Sequence, residues 1–170
     1  MDRKIDLLFL GDSLIRRGDW EGSFPNESVY NAGIDGDTTT GLLSRIERLS
    51  FLKPTYVFIL IGMNNLNTAI NDYEAIIDKV RENFPKSSIY YLSVTPTCLN
   101  EYYLNDGIDK CNDFLVRLCL RKEVNYINIH DALLEFGGGL KRELTTDGVH
   151  LSYKAYEIIS AVIKEQLKLY

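Results

Sequence analysis

Ser13 and His150 are the residues on which a reaction is most easily built. A serine hydroxyl attacks a carbonyl carbon only when a neighbouring base takes its proton. The chain holds two histidines, His130 and His150. His150 stands three residues after Asp147, across Gly148. That spacing lets a carboxylate accept the imidazole Nδ1 proton while Nε2 points outward, the orientation a nucleophile–base–acid set requires. Acyl transfer also needs donors for the oxyanion. Ser13 closes an apolar run and opens a helical pattern, so its backbone N–H sits near the positive end of a helix. Gly33 ends a second apolar run, where the lack of a side chain permits close backbone approach. Asn64 follows a third and offers a side-chain N–H.

Each residue alone has an ordinary use. Ser13 and Asn64 suit helix caps, Gly33 suits a turn, and Asp147 with His150 suits a loop with a solvated histidine. Their joint occurrence is what points to acyl transfer. Around them stand residues with less definite roles. Asp12 is placed to brace the Ser13 turn through backbone hydrogen bonds. Trp20, in an irregular polar stretch, either lines the crevice or tucks onto the body of the domain. Thr38 and Thr39 read as helix-start residues. His130 and Asp131 form a rival pair, but neighbours on a strand project to opposite faces, so a structural role is expected. Gly137-Gly138-Gly139 is a flexible loop that could hinge a lid.

The elements that must position these residues alternate from end to end. Strands are expected over 5–10, 28–31, 55–61, 88–94 and 124–129, with helices over 38–49, 72–84, 106–121 and 152–169. Strands apolar on both faces read as parallel and covered on both sides. The pattern predicts an α/β fold: a three-layer α/β/α sandwich, flavodoxin-like, with a doubly wound five-stranded parallel sheet. In such sheets ligands bind beyond the carboxyl ends of the strands. Gly11-Asp12-Ser13, Asn31-Ala32-Gly33, Gly62-Met63-Asn64-Asn65 and Asp147-Gly148-Val149-His150 all fall there or just before the last helix.

Bulk properties agree with one globular domain over residues 1–170, with 45% hydrophobic and 25% charged residues. A net charge of −5 with interleaved signs argues against a nucleic-acid partner. The apolar runs are too short to span a bilayer, and the N-terminus lacks a signal-peptide pattern, so a cytoplasmic protein is expected. Cys98, Cys111 and Cys119 lack CxxC spacing and read as small buried hydrophobes, Cys111 and Cys119 on one helix face. No HExxH, no His/Cys cluster, no GxGxxG and no GxxxxGK[ST] occurs, so neither metal nor cofactor is expected.

Gly11-Asp12-Ser13-Leu14 reads as a GDSL tetrapeptide, and the four stretches together resemble the ordered blocks of the SGNH hydrolase (GDSL esterase/lipase) superfamily. The likeness runs from Leu7 to the final helix. It implies Ser13 as nucleophile, Asp147 and His150 as its partners, and Ser13, Gly33 and Asn64 around the oxyanion. The segment from Asn31 to Thr39 and Gly62-Met63-Asn64-Asn65 look most like the platelet-activating-factor acetylhydrolase α-subunit-like branch. That branch includes homodimers, to which Trp20 or the Tyr102-Tyr103 pair could contribute here. Asn65 departs from the superfamily, many of whose members carry Asp there.

The expectation is therefore a serine esterase acting on a small-molecule acyl ester, of short acetyl-type chain because the chain has no insertion to build a lipid tunnel. Thioesterase or lysophospholipase chemistry on the same machinery is the alternative. From other classes come a flavodoxin-like module binding a nucleotide or flavin, and a silent relative acting through interaction. The first has no use for Asp147 and His150, and intact site residues argue against the second.

Overall fold

The computed structural model describes residues 1–98 and 102–169. The strands are β1 (Arg3–Gly11), β2 (Val29–Gly33), β3 (Leu52–Leu60), β4 (Ser88–Leu92) and β5 (Asn125–Ile127). They form one parallel sheet in the order β2-β1-β3-β4-β5. The order reverses at β1, so the crevice beyond the ends of β1, β2 and β3 is the topological switch point. The expected fold is the observed one.

Alternation along the central strands builds the two cores. Leu8, Leu10, Val57, Ile59 and Tyr91 face one side, with α3 (Thr39–Arg45), α4 (Tyr73–Asn83) and α5 (Tyr102–Lys122). Leu7, Phe9, Phe58, Leu60 and Leu92 face the other, with α1 (Ser13–Arg16), α2 (Trp20–Ser23) and α6 (Tyr153–Leu167). Phe9 is the hub of the second core, stacked on Trp20 at 4.2 Å and on Phe58 at 4.9 Å between ring centroids. Such aromatic pairs add about 0.5–1.5 kcal/mol beyond the area they bury.

The boundaries differ from expectation where tertiary pairing overrides local pattern. β3 starts at Leu52 and runs through Pro54, because the β1 edge pairs Ile5 with Pro54 while β4 joins only from Tyr56. The missing proline N–H thus lies outside the β4 ladder. β5 shrinks to three residues. α5 begins at Tyr102, well before Asp106. The helix expected over 38–49 ends as an α-helix at Arg45 and continues as a 3₁₀ turn, Ile46–Leu49, with Thr38 capping its start by accepting from Gly41 N–H at 3.0 Å. The three cysteines are free and buried, Cys111 and Cys119 in the same core as expected. The Tyr102 and Tyr103 side chains, named above as interface candidates, lie outside the described residues. Among the described residues no helix is long and apolar enough to cross a membrane.

Candidate active site

Two polar assemblies meet beyond the carboxyl ends of β1 and β2. Ser13 begins α1, and Asp12 caps that helix, its Oδ1 accepting from Leu14 N–H at 2.9 Å. As the first helical residue, Ser13 has no helical acceptor for its own N–H. Gly33 closes β2 directly against α1, where a Cβ would lie 2.3 Å from Arg16 N. Only glycine allows β2 and the Ser13 turn to pack this closely.

The second assembly is the turn from Thr145 to Leu151, which pair as an antiparallel bridge. Thr145 Oγ1 donates to His150 O at 2.6 Å and accepts from Gly148 N–H at 2.8 Å. Gly148 has φ +94, a left-handed conformation suited to glycine, and its carbonyl accepts from Cys98 N–H at 2.9 Å. Asp147 folds back onto the turn, its Oδ1 accepting from Val149 N–H at 3.0 Å and His150 N–H at 2.7 Å. Asp147 Oδ2 lies 2.6 Å from His150 Nδ1. Hydrogen bonds from the His150 side chain and backbone hold the Asp147 carboxyl down at about 2. On its other edge, His150 Nε2 is 3.1 Å from Ser13 Oγ. The fold thus brings Asp147, His150 and Ser13 into one hydrogen-bonded line.

The two remaining oxyanion candidates have internal partners. Gly33 N–H donates to Asn31 Oδ1 at 3.0 Å. Asn64 Nδ2 donates to Asp37 O at 2.8 Å and lies 3.5 Å from Asp12 Oδ2. Asn64 is therefore beside the Ser13 turn, linked to it through Asp12. Asp12 is 1% exposed. Burial pushes its carboxyl up to about 6, the Asp37 charge adds to the rise, and Leu14 N–H and His150 pull against it.

The Asn65 amide ties the loop after β3 to the start of α3. Thr39 N–H donates to Asn65 Oδ1 at 3.1 Å, and Asn65 Nδ2 donates to Thr39 Oγ1 at 2.8 Å and Thr68 Oγ1 at 3.1 Å. The Thr39 hydroxyl proton already goes to Asp72 Oδ2 at 2.6 Å. The partner facing Thr39 Oγ1 must hence be a donor, which an amide is and a carboxylate is not.

Trp20 is tucked into the body of the domain, and neither the crevice nor the dimer-interface reading of it holds. It is 2% exposed, stacked on Phe9, and its Nε1–H donates to Ile15 O at 2.7 Å. The segment that looked irregular is α2, and the indole is core. His130 and Asp131 lie beyond the strand expected to hold them. The strand ends at Ile127, so alternation does not apply, and His130 Nδ1 lies 3.0 Å from Asp131 Oδ1. The other ring nitrogen faces Asp109 Oδ1 at 3.7 Å, a carboxylate with no proton to give up rather than a hydroxyl or thiol to activate. Gly137-Gly138-Gly139, all with positive φ, close a small hairpin in which Glu135 N–H donates to Gly139 O at 3.0 Å.

Several residues escaped the sequence reading. Asn31 donates to Ile15 O and Arg16 O, both at 3.1 Å, while holding Gly33 N–H. An asparagine two residues before a glycine is a recognisable local signal for that last bond. Arg45 donates to Asp37 Oδ2 at 2.8 Å and Gly11 O at 3.0 Å, binding the end of β1 to the loop under Asn64. Nothing in its local sequence marks that role.

Residues 9–158 match the GDSL-like Lipase/Acylhydrolase family. The chain is 28% identical over 175 residues to platelet-activating factor acetylhydrolase IB subunit alpha2 of Rattus norvegicus, covering 96% of this chain and 76% of that protein. It is 24% identical to an N-acylneuraminate cytidylyltransferase of Streptococcus agalactiae, covering 94% of this chain and 38% of that protein. Among solved structures, a Streptococcus pneumoniae chain studied as a candidate platelet activating factor superposes with TM-score 0.83 at 30% identity, over 99% of this chain and 85% of that one. An acetyl xylan esterase from Geobacillus stearothermophilus superposes with TM-score 0.77 at 20% identity, over 97% and 95%, a likeness of fold.

Proposed function

Because the chain belongs to the GDSL-like lipase/acylhydrolase family and is a hydrolase acting on esters, we propose that it removes short, acetyl-type acyl groups from a small-molecule carrier through Ser13, His150 and Asp147. The observation that carries this reading is the line Ser13 Oγ–His150 Nε2 at 3.1 Å and His150 Nδ1–Asp147 Oδ2 at 2.6 Å. Nucleophile–base and base–orienter contacts are both within hydrogen-bond reach.

In the proposed cycle His150 Nε2 takes the Ser13 proton as Oγ attacks the ester carbonyl. Asp147 accepts a hydrogen bond from Nδ1–H without taking the proton, fixes the tautomer and stabilises the imidazolium. The proton then passes to the leaving alkoxide, and water, activated by the same nitrogen, releases the acid. Ser13 N–H, Gly33 N–H and the Asn64 amide serve the oxyanion, and one such donor is worth about 2.7–4 kcal/mol. Gly33 and Asn64 do so in competition with Asn31 Oδ1 and Asp37 O. Beside Asn64 is a hollow of about 280 Å³, lined in part by Met63, Leu66 and Leu104. Asn64, Asn65, Asn67 and Thr68 also line it, and the acetylhydrolase name of the 28% identical relative supports a short acyl group.

The test is hydrolysis of p-nitrophenyl acetate, butyrate and octanoate by the wild-type chain and Ser13→Ala. The expected outcome is cleavage of acetate in preference to octanoate, with the variant inactive. Preference for octanoate replaces the short-acyl reading with a lysophospholipase-like one. Equal slow rates in both proteins refute Ser13 as nucleophile.

A further inference from the structure

The nucleophile stands on an unusually weak element. α1 has four residues, Ser13–Arg16. One turn of helix has almost no internal ladder, so donors from outside help to hold its carbonyls, and a carbonyl with several donors depends little on any one of them. Trp20 Nε1–H donates to Ile15 O at 2.7 Å, and Asn31 Nδ2 donates to Ile15 O and Arg16 O at 3.1 Å. Both come from segments that follow α1 closely. A third side-chain donor is remote: the Tyr156 hydroxyl donates to Leu14 O at 2.7 Å across 142 residues of sequence. Tyr156 is 6% exposed and meets Trp20 edge-on at 5.7 Å between centroids.

Tyr156 lies in the first turns of α6, a helix whose N-cap, Ser152, is two residues after His150. Ser152 N–H donates to Leu144 O at 2.9 Å, and Ser152 Oγ accepts from Ala155 N–H, so the His150 turn and the start of α6 are joined by short, bonded chain. The buried Tyr156–Leu14 bond consequently connects the piece of chain that carries His150 to the turn that carries Ser13. We propose that Tyr156 is a positioning residue that sets the reach between Ser13 Oγ and His150 Nε2. The inference rests on the acyl-transfer reading above. Proton transfer needs heavy atoms about 2.6–3.2 Å apart, and the observed 3.1 Å is near the long end of that window. A shift of about 1 Å from a change far from the reacting atoms lowers rates by about 10²-fold.

Tyr156→Phe removes one oxygen and keeps the ring against Trp20. Expected is a fall in kcat on p-nitrophenyl acetate of about 10- to 100-fold, with KM within about twofold. The rate of Ser13 labelling by a fluorophosphonate falls by the same factor. Trp20→Phe is the control. It releases a donor to the same turn, but Ile15 O keeps Asn31 Nδ2 and Gly18 N–H, and the link to α6 stays. Its melting temperature drops while labelling remains near wild type. Rates are compared well below both melting temperatures. A Tyr156→Phe protein that melts lower yet keeps wild-type kcat and labelling overturns the proposal, and so do equal rate losses in both variants. Activity surviving in Ser13→Ala is a different failure, that of the acyl-transfer reading.

Discussion

Replacing Asp147 with Asn separates its two duties, which fall on different oxygens. Oδ1 accepts from Val149 N–H and His150 N–H, shaping the turn, whereas Oδ2 accepts from His150 Nδ1. In Asp147→Asn the amide oxygen can keep the first pair, so the turn survives. The amide nitrogen then faces Nδ1 and favours the tautomer with the proton on Nε2, which turns a donor toward Ser13 Oγ. The nucleophile loses its proton acceptor although every heavy atom stays in place. Tautomer reversal of this kind lowers kcat by about 10⁴-fold, or about 5 kcal/mol of barrier at 1.36 kcal/mol per tenfold. Stability changes far less, because the Asp147 side chain is 52% exposed and an ion-assisted bond at such a site contributes about 1 kcal/mol or less. The assay pairs p-nitrophenyl acetate kinetics with thermal melting, for Asp147→Asn, His150→Ala and the double variant. The double variant is expected to be no slower than His150→Ala, since residues acting as a unit are not additive. An Asp147→Asn protein with wild-type melting and a rate within about tenfold of wild type would refute the orienting role.

Two further substitutions probe the groups around the nucleophile. Asp12 has its folded pKa raised to about 6 from 3.8, so its contribution is fully present below the unfolded value and is lost as pH rises through the folded one. Asp12→Asn keeps an oxygen for Leu14 N–H. The variant should lack the wild-type decline in urea stability between pH 4 and 6.5, a difference of at most about 3 kcal/mol; parallel pH profiles would show that Asp12 does not titrate there. Asn65→Asp removes the donor facing Thr39 Oγ1 and Thr68 Oγ1. It should cost about 1 kcal/mol, read as a melting temperature about 2–4 °C lower, and an unchanged or higher melting temperature would contradict the donor argument.

The strands, the helices and the residues that line up at the rim were legible in the sequence because each rests on local chemistry. Val57 to Ile61 is apolar on both faces because helices cover both sides of β3. Asp147 and His150 meet within a single turn, so a three-residue spacing is enough to foresee their contact. Ser13 and His150 are 137 residues apart, and there the resemblance to known blocks, rather than periodicity, made the pairing readable.

Other features were decided by packing alone. Trp20 looks like a surface or crevice residue until Phe9 provides a ring to stack on and Ile15 a carbonyl to bond. Gly33 and Asn64 could be named as oxyanion donors, but their occupation by Asn31 Oδ1 and Asp37 O depends on how β2 and its following loop lie against α1 and β3. Tyr156 falls inside the helix expected over 152–169, and its hydroxyl finds a partner only once α6 crosses the first turn of α1. The amino-acid sequence determined the sheet, its covering helices and the residue types available at the rim, because hydrophobic period and turn chemistry act over a few residues. The tertiary structure alone decided which carbonyl each buried donor reaches, because directional bonds across 5 to 142 residues exist only after the layers have closed.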